Sequence, residues 1–359
     1  MNILFDHQIF SVQEYGGISR AFAELFNELK KLEVNCSVSL KLSNNYYLSD
    51  VGQKIFFKNY SFPGKLTLMD LVNKMFSILK IRASSFDIFH PTYYDPYFLN
   101  YINHKPFVIT VYDLIHEKFL YKLPSSKVTL EKKKLLINKA KRIIAISETT
   151  KKDIVEIYGI NPNKIEVVYL GNSIIPNNIY VEMKLPKKYI LYVGGRQNYK
   201  NFDLFLRSIT RFLLEKNIFL FCAGGGGFKE NEIKLFEELK LVNRIKQQEV
   251  TDDELAKCYA GALCFVFPST YEGFGIPILE AFSCNCPVVL SNISCFKEVA
   301  KDAAEYFEPT SEISILKSIE KVTKSKRRRG ILIAKGRKRL EYFSWKKCAE
   351  ETLEVYHSL

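Results

Sequence analysis

Apolar runs of about five to seven residues recur along this chain, and between them the apolar positions fall three or four residues apart. The second pattern is plainest after the first turn. Ile18, Ala21, Phe22, Leu25, Phe26 and Leu29 sit at i, i+3, i+4, i+7, i+8 and i+11, one face of a helix. The short runs predict strands at 2–5, 34–40, 87–90, 107–112, 142–146 and 166–169. Residues 172–188, with Pro176, Pro186 and several asparagines, interrupt the alternation and predict an interdomain linker. Strands are then predicted afresh at 189–193, 218–222, 245–248, 262–268 and 287–290. Each crossover is long enough to hold the helix that parallel strands need. Thr251 with Glu254 forms a capping box for a helix to Ala260, which accounts for Asp252 and Asp253 as helix-start acids rather than metal ligands. The expected fold class is α/β: two facing doubly wound, Rossmann-like domains with a cleft between them, spanning 1–171 and 189–343.

The richest chemistry follows the run 262–268. Tyr271-Glu272-Gly273-Phe274-Gly275-Ile276-Pro277-Ile278-Leu279-Glu280-Ala281 sets two carboxylates around a glycine turn and a helix start. Pro277 suits a first helical turn, where a missing N–H costs nothing. Asn285 is expected to close that helix in a left-handed conformation, with Pro287 barring its continuation. Glu272 is thereby placed at a strand's carboxyl end, the edge where open α/β sheets bind ligands, and Glu280 inside the helix. Amides after Gly273 and Gly275 suit a polar or anionic ligand.

Three other strand-to-helix loops carry candidates. Gly194-Gly195-Arg196 with Lys200-Asn201 offers a planar guanidinium and a mobile ammonium suited to a diphosphate. Tyr15-Gly16-Gly17-Ile18 permits close backbone approach to a phosphate and leaves the helix amides unblocked, although a simple turn reads equally well. Asp113, His116 and Glu117 end the run 107–112, where a capping aspartate and a surface histidine are the alternatives to catalysis. Ser147-Glu148-Thr149-Thr150 reads as a helix N-terminus. Gly224-Gly225-Gly226-Gly227 lacks the lysine and hydroxyl of a P-loop and reads as a turn or a close approach to a nucleoside.

Bulk properties narrow the class. At 359 residues, 47% hydrophobic and 25% charged, the chain is a globular protein of two domains rather than a disordered one. It has no apolar run near membrane-spanning length, and Met1 leads straight into a strand, so neither a span nor a signal peptide is expected. Eight scattered cysteines suit a reducing compartment, and Cys284-Asn285-Cys286 lacks zinc-ligand spacing. The net charge of +13 is clustered at Lys132-Lys133-Lys134 with Lys139, Lys141 and Arg142, and at Lys324 to Arg339. Solvated helix faces are one reading; a surface for anionic lipid or phosphorylated acceptors is the other. Nucleic acid is not expected, because no recognition motif accompanies the charge.

Together these residues resemble the retaining glycosyltransferases of family 4, which have the GT-B fold. The resemblance runs nearly end to end. It rests on Gly16-Gly17-Ile18-Ser19-Arg20, Tyr112-Asp113-Leu114-Ile115-His116-Glu117, Ala145-Ile146-Ser147-Glu148, Tyr192-Val193-Gly194-Gly195-Arg196 with Lys200-Asn201, Phe267-Pro268-Ser269 and the block from Glu272 to Glu280. Phe343-Ser344-Trp345 resembles the start of the family's final helix, so 344–359 is expected to rejoin the first domain. The resemblance implies transfer of a sugar from a UDP- or GDP-linked donor to a glycan or lipid-linked acceptor hydroxyl, with retention and no obligatory metal. The chain has no Asp-x-Asp, which agrees with that. It implies an acceptor-side first domain and a donor-side second one. It implies catalytic roles among Glu272, Asp113 and His116, and donor contacts from Gly16, Gly17, Arg196, Lys200, Phe274, Gly275, Ile276 and Glu280. Many members carry a histidine where this chain has Tyr112, so that histidine's role does not transfer to Tyr112, and nearby His116 is the alternative candidate. The expected setting is surface-polysaccharide assembly by a cytoplasmic protein, peripheral at the inner face of the membrane through its basic clusters. A sugar-nucleotide epimerase and a noncatalytic nucleotide-sugar binder are the alternatives.

Overall fold

The computed structural model describes residues 1–48, 62–119, 127–176 and 181–359. The chain divides into two compact units, Met1–Gly171 with Ser344–Leu359, and Asn172–Phe343.

The first unit contains β1 (Asn2–Phe5), α1 (Gln8–Val12), α2 (Gly17–Lys31), β2 (Asn35–Val38), α3 (Lys65–Ala83), β3 (Ile88–His90), β4 (Val108–Val111), α4 (Ile115–Lys118), α5 (Lys127–Lys139), β5 (Arg142–Ala145), α6 (Glu148–Tyr158) and β6 (Ile165–Val167). Its strands pair in parallel in the orders β2-β1-β3 and β4-β5-β6, and a single parallel bridge between Phe89 and Phe107 links the two groups. The predicted α2 face is the buried one: Ala21, Phe22, Leu25, Phe26 and Leu29 all point into the core. The short helix α1 was not anticipated, because five residues are too few to show a period.

The second unit begins with β7 (Tyr189–Val193), α7 (Phe202–Lys216), β8 (Phe219–Ala223), α8 (Glu230–Glu238), β9 (Ile245–Gln248), α9 (Asp252–Gly261), β10 (Cys264–Phe267) and α10 (Ile276–Ser283). It continues with β11 (Val288–Ser291), α11 (Ser294–Ala300), β12 (Ala304–Phe307), α12 (Glu312–Lys324) and α13 (Lys326–Leu340). One six-stranded sheet runs β12-β11-β10-β7-β8-β9, every pair parallel. Strand β12 was missed in the sequence because Glu305 interrupts its apolar run. In the fold that carboxylate is held by Lys321 and Arg328, each 2.7 Å away, so a buried strand tolerates it.

The local signals operate as read. Thr251 Oγ1 accepts from the Glu254 amide while Glu254 Oε2 accepts from the Thr251 amide, closing the capping box. Asn285 has φ 56°, and the Cys286 amide reaches back to the Ala281 carbonyl at 2.8 Å, ending α10 in a left-handed turn. Ser344 caps the final helix, α14 (Trp345–His357), which packs on α2 within the first unit. Gly171 is required there, since a Cβ would lie 2.4 Å from the Trp345 amide nitrogen. All eight cysteines are buried and none is in a disulfide, and burial pushes the Cys36 thiol up to about 11 and that of Cys222 to about 12. Among the described residues no helix is long and apolar enough to cross a membrane.

Candidate functional site

In the second unit β7 and β10 are neighbours, yet the chain leaves β7 toward β8 on one side and β10 toward β11 on the other. Loops diverging from such a point open a crevice at the strands' carboxyl ends. The two loops there are the ones singled out by sequence, 194–201 and 268–275. Gly194 has φ 92° and its amide bonds the Ala223 carbonyl at 2.9 Å, while Tyr192 Oη donates to the Gly195 carbonyl at 2.6 Å. The loops are tied by Thr270, whose amide and Oγ1 both donate to the Tyr199 carbonyl, at 2.8 and 3.1 Å.

Across that tie Lys200 Nζ donates to Glu272 Oε1 at 2.6 Å, with both side chains largely buried. The ammonium also lies 5.4 Å from the centroid of the Phe267 ring. Residues 72 positions apart thus form one cation–carboxylate pair at the sheet's ligand edge. Ser269 stands in the same loop, fully buried, and its hydroxyl has no hydrogen-bond partner among the described residues.

Arg196 is placed differently from the expectation that its fork faces a ligand. Nε donates to Glu232 Oε1 at 2.6 Å, and Nη2 donates to the Gly226 and Gly227 carbonyls at 2.9 and 3.1 Å. Nη1 makes a longer contact, 3.5 Å, to the Gly224 carbonyl. The reason is local: Gly224, Gly225 and Gly226 all adopt positive φ, which turns a row of carbonyls toward the guanidinium. Arg196 therefore holds the tetraglycine turn in shape, and Glu232 neutralises it. Gly225 packs directly on the first loop, where a Cβ would meet the Gly194 carbonyl oxygen at 2.2 Å.

The helix after Glu272 starts at Gly275, φ 105°, with Pro277 in its first turn. A side chain at Gly275 would crowd Ile278 and Phe296 at 3.0 and 3.2 Å. The Phe274 ring is buried edge-on against Phe343 at 5.8 Å, so only its backbone and that of Ile276 are positioned for a ligand. Glu280 is 5% exposed and Tyr259 Oη donates to its Oε2 at 2.9 Å. Burial, reinforced by Glu280, raises the Tyr259 phenol well above its ordinary value, so it remains a donor. Neither Glu232 nor Tyr259 was foreseen. Glu232 lies in α8 while Arg196 is in the loop after β7, and Tyr259 lies in α9 while Glu280 is in α10; nothing in sequence spacing marks such pairs.

In the first unit Gly16 caps α2 in extended backbone, but the loop is not open as expected. Gln13 Oε1 accepts from the Ser19 amide at 3.1 Å and lies where a Gly16 Cβ would be, 2.2 Å away. One amide of the α2 N-terminus is thus satisfied by the protein itself, and Gly16 makes room for the glutamine; Gly17 is the first helical residue. Asp113 Oδ1 accepts from the Ile115 amide at 3.0 Å, a turn closure, and His116 is half-buried in α4. Glu117 serves structure. It pairs at 3.0 Å with Lys133, whose ammonium also donates to the Asp113 carbonyl, and it accepts from Tyr158 Oη.

The basic clusters are corrected in part. Lys133 is buried, not a surface charge. Lys132 lies 3.6 Å from Asp95. In the second cluster Arg328 pairs with Glu305, Lys335 with Asp302 and Lys324 with Glu320, while Arg329 and Arg339 donate to helix carbonyls. Much of the apparent polybasic character is spent inside the fold.

Comparison with known proteins agrees with this geometry. The sequence matches the family described as Glycosyl transferases group 1 over residues 181–339, and Glycosyltransferase Family 4 over residues 15–172. It is 30% identical over 251 residues to the O-antigen chain mannosyltransferase B of Escherichia coli, covering 66% of each chain. It is 30% identical over 190 residues to the O-antigen chain mannosyltransferase RfbU of Salmonella typhimurium, covering 53% of each. The matched region thus spans about half to two thirds of these relatives. Solved structures share the whole fold at low identity: sucrose-phosphate synthase from Thermosynechococcus elongatus has a TM-score of 0.79 at 16% identity, covering 100% of this chain and 99% of the other. Anabaena HepE in complex with UDP and glucose has a TM-score of 0.74 at 16% identity, covering 100% of both. The fold is GT-B, and this chain belongs to glycosyltransferase family 4.

Proposed function

We propose that this protein transfers a hexosyl group from a nucleoside-diphosphate sugar to a hydroxyl of a glycan or lipid-linked acceptor in surface-polysaccharide assembly. We propose further that it retains anomeric configuration and needs no metal. The observation that carries this reading is the Lys200–Glu272 pair at the switch point of the second unit's sheet. In the reaction the bond from the anomeric carbon to the diphosphate oxygen breaks, and the sugar gains positive charge as the diphosphate gains negative charge. The acceptor oxygen attacks from the same face and its proton passes to the departing phosphate oxygen, so atoms and charge balance without a protein nucleophile.

Lys200 supplies the cation for the leaving diphosphate. The amides opening α10 add their dipoles, and such preorganised donors commonly dominate catalysis. Glu272, oriented by Lys200, accepts from donor-sugar hydroxyls. Glu280, held by Tyr259, takes the ribose hydroxyls. Arg196 acts by positioning the glycine turn, with Nη1 the edge of the fork nearest to hand for a phosphate oxygen. Asp113 and His116 belong to the acceptor-side unit, as does Gly17 at the α2 start. The names of the relatives above make a mannosyl donor the first to try.

A thermal-shift screen of GDP-mannose, UDP-sugars, GDP and UDP, with and without EDTA, tests binding. A bound donor raises apparent stability by mass action. One nucleotide and its sugar should shift the wild type equally in EDTA and fail to shift Lys200→Ala. Transfer to an oligosaccharide acceptor, with the product's anomeric configuration read by NMR, tests the chemistry. Absence of any shift from folded protein, or an inverted product, defeats the corresponding part of the reading.

A further inference from the structure

Three tyrosines stand together beyond the carboxyl ends of β1 and β2 in the first unit. Tyr15 lies in the loop before α2, and Tyr46 and Tyr47 in a 3-10 turn, Tyr46–Leu48, that follows β2. The Tyr15 ring stacks on Tyr46 with centroids 4.8 Å apart and planes 23° from parallel. It packs nearly at right angles to Tyr47 at 6.0 Å, and Tyr46 and Tyr47 are themselves close to perpendicular at 5.5 Å. The buried Arg20 guanidinium lies 4.9 Å from the Tyr47 ring centroid.

Backbone bonds hold the cluster. The Tyr46 amide donates to the Glu14 carbonyl at 3.0 Å, and Asn45 Nδ2 donates to the Gln13 carbonyl at 2.7 Å, so the two loops are stitched side by side. Asn45, fully buried, also accepts from the Tyr47 amide at 3.1 Å. Rings fixed in this way are in place before a ligand arrives, which spares the ordering cost of binding. Tyr15 is nevertheless 58% exposed, and its hydroxyl has no hydrogen-bond partner among the described residues. With one face on Tyr46, the other is open to solvent. A single exposed aromatic is ordinary; a prearranged cluster beside a sheet's ligand edge is not explained by packing.

We propose that Tyr15 is the floor of an acceptor subsite that takes the C–H face of a pyranose ring. A sugar has an apolar face of C–H groups and a rim of hydroxyls, so it suits an aromatic plane with hydrogen-bonding groups beside it. Tyr15 supplies the plane. Beside it stands the exposed Glu14, whose carboxylate has no partner among the described residues. Partial burial, with Tyr46, Tyr47 and Glu14 adding to it, raises the Tyr15 phenol. The phenol therefore remains a donor while Glu14 accepts. A phosphate is the poorer occupant, because Glu14 repels it and Arg20 is buried behind the rings. A protein is poorer too: three rings of about 150–250 Å² each fall short of the roughly 800 Å² per partner in a stable interface. This deepens the proposed function and rests on it for its purpose: the acceptor already carries sugar, rather than being a bare lipid phosphate.

Saturation-transfer-difference NMR on the full chain tests this, with mannotriose, maltotriose and chitotriose as probes and no donor present. At least one probe should receive saturation at its pyranose C–H protons from the wild type. Tyr15→Ala should lower that transfer about fivefold or more, while Tyr15→Phe, which keeps the plane, should retain most of it. Circular dichroism melts confirm that both variants fold. In transfer assays Tyr15→Ala should raise KM for the same oligosaccharide by about fivefold and leave the donor KM within about twofold. No saturation of any probe, or equal saturation by wild type and Tyr15→Ala, overturns the proposal. So does a loss in Tyr15→Phe as large as in Tyr15→Ala, which would make the hydroxyl rather than the ring the contact. Donor thermal shifts run in parallel separate the two readings. Oligosaccharide contact with no donor binding sinks the transferase reading and leaves the tyrosine platform standing; donor binding with no oligosaccharide contact does the reverse.

Discussion

Replacing Glu232 by glutamine tests the cost of leaving a buried cation without its counter-charge. The pair is deep, with the side chains of Arg196 and Glu232 only 3% and 7% exposed. Glu232 also caps α8, its Oε2 accepting from the Lys229 amide at 2.7 Å. Arg196 Nε uses one carboxylate oxygen and the Lys229 amide the other, so glutamine, with one acceptor oxygen, keeps the shape and one of these bonds while losing the charge and the second bond. Breaking a buried ion pair from one side costs about 3 to 5 kcal/mol. Two carbonyls at 2.9 and 3.1 Å still solvate the guanidinium, which places Glu232→Gln at the lower end, about 3 kcal/mol. Arg196→Met should cost a similar amount, and the double variant should lose at least about 1.5 kcal/mol less than the sum, the mark of direct coupling. Urea unfolding followed by far-ultraviolet circular dichroism measures all four proteins. Additive losses, or a Glu232→Gln variant as stable as wild type, would refute the claim that Arg196 is a structural cation held by Glu232.

Glu272→Gln should lower transfer by about a hundredfold and cost less stability than Glu232→Gln, because water still reaches both side chains of its pair, 18% and 12% exposed; equal loss of turnover and folding would point to a purely structural role. Gly275→Ala, forced to φ 105° and against Ile278, should cost about 1 to 3 kcal/mol in urea and abolish the donor thermal shift, and a neutral effect would show that the turn is not constrained. His90 is fully buried between Tyr356 Oη at 2.6 Å and Thr110 Oγ1 at 3.0 Å, with Phe5 and Phe22 against its ring, and burial pushes its pKa from 6.5 down to about 3. Between those values the unfolded chain binds the proton and the folded one does not, so this contribution to stability falls with falling pH. The slope is about 1.4 kcal/mol per unit. His90→Gln should flatten the dependence between pH 6.5 and 5, and equal slopes for the two proteins would reject the assignment.

Much of this protein is written locally. A 3.6-residue period specifies α2, Thr251 with Glu254 starts α9, and Asn285 before Pro287 ends α10, because each signal acts within a few residues of itself. The alternation of strands and long crossovers likewise requires parallel sheets, and with them ligand loops at the strands' carboxyl ends. What lay beyond reach is pairwise and distant. Glu305 hides β12 until Lys321 and Arg328 come beside it. Lys133 reads as a surface charge until Glu117 is brought to it, and Arg196 as a ligand cation until three glycine carbonyls and Glu232 surround it. In α3 Asn73 and Ser77 claim the inward face and leave Leu68, Leu71, Met75 and Leu79 outside. Propensity, capping and periodicity depend on neighbours in the chain and were determined by the sequence alone. The role of each charge, and which side of α3 faces out, depends on hydrogen bonds and ion pairs closed between distant segments, and only the tertiary structure decides those.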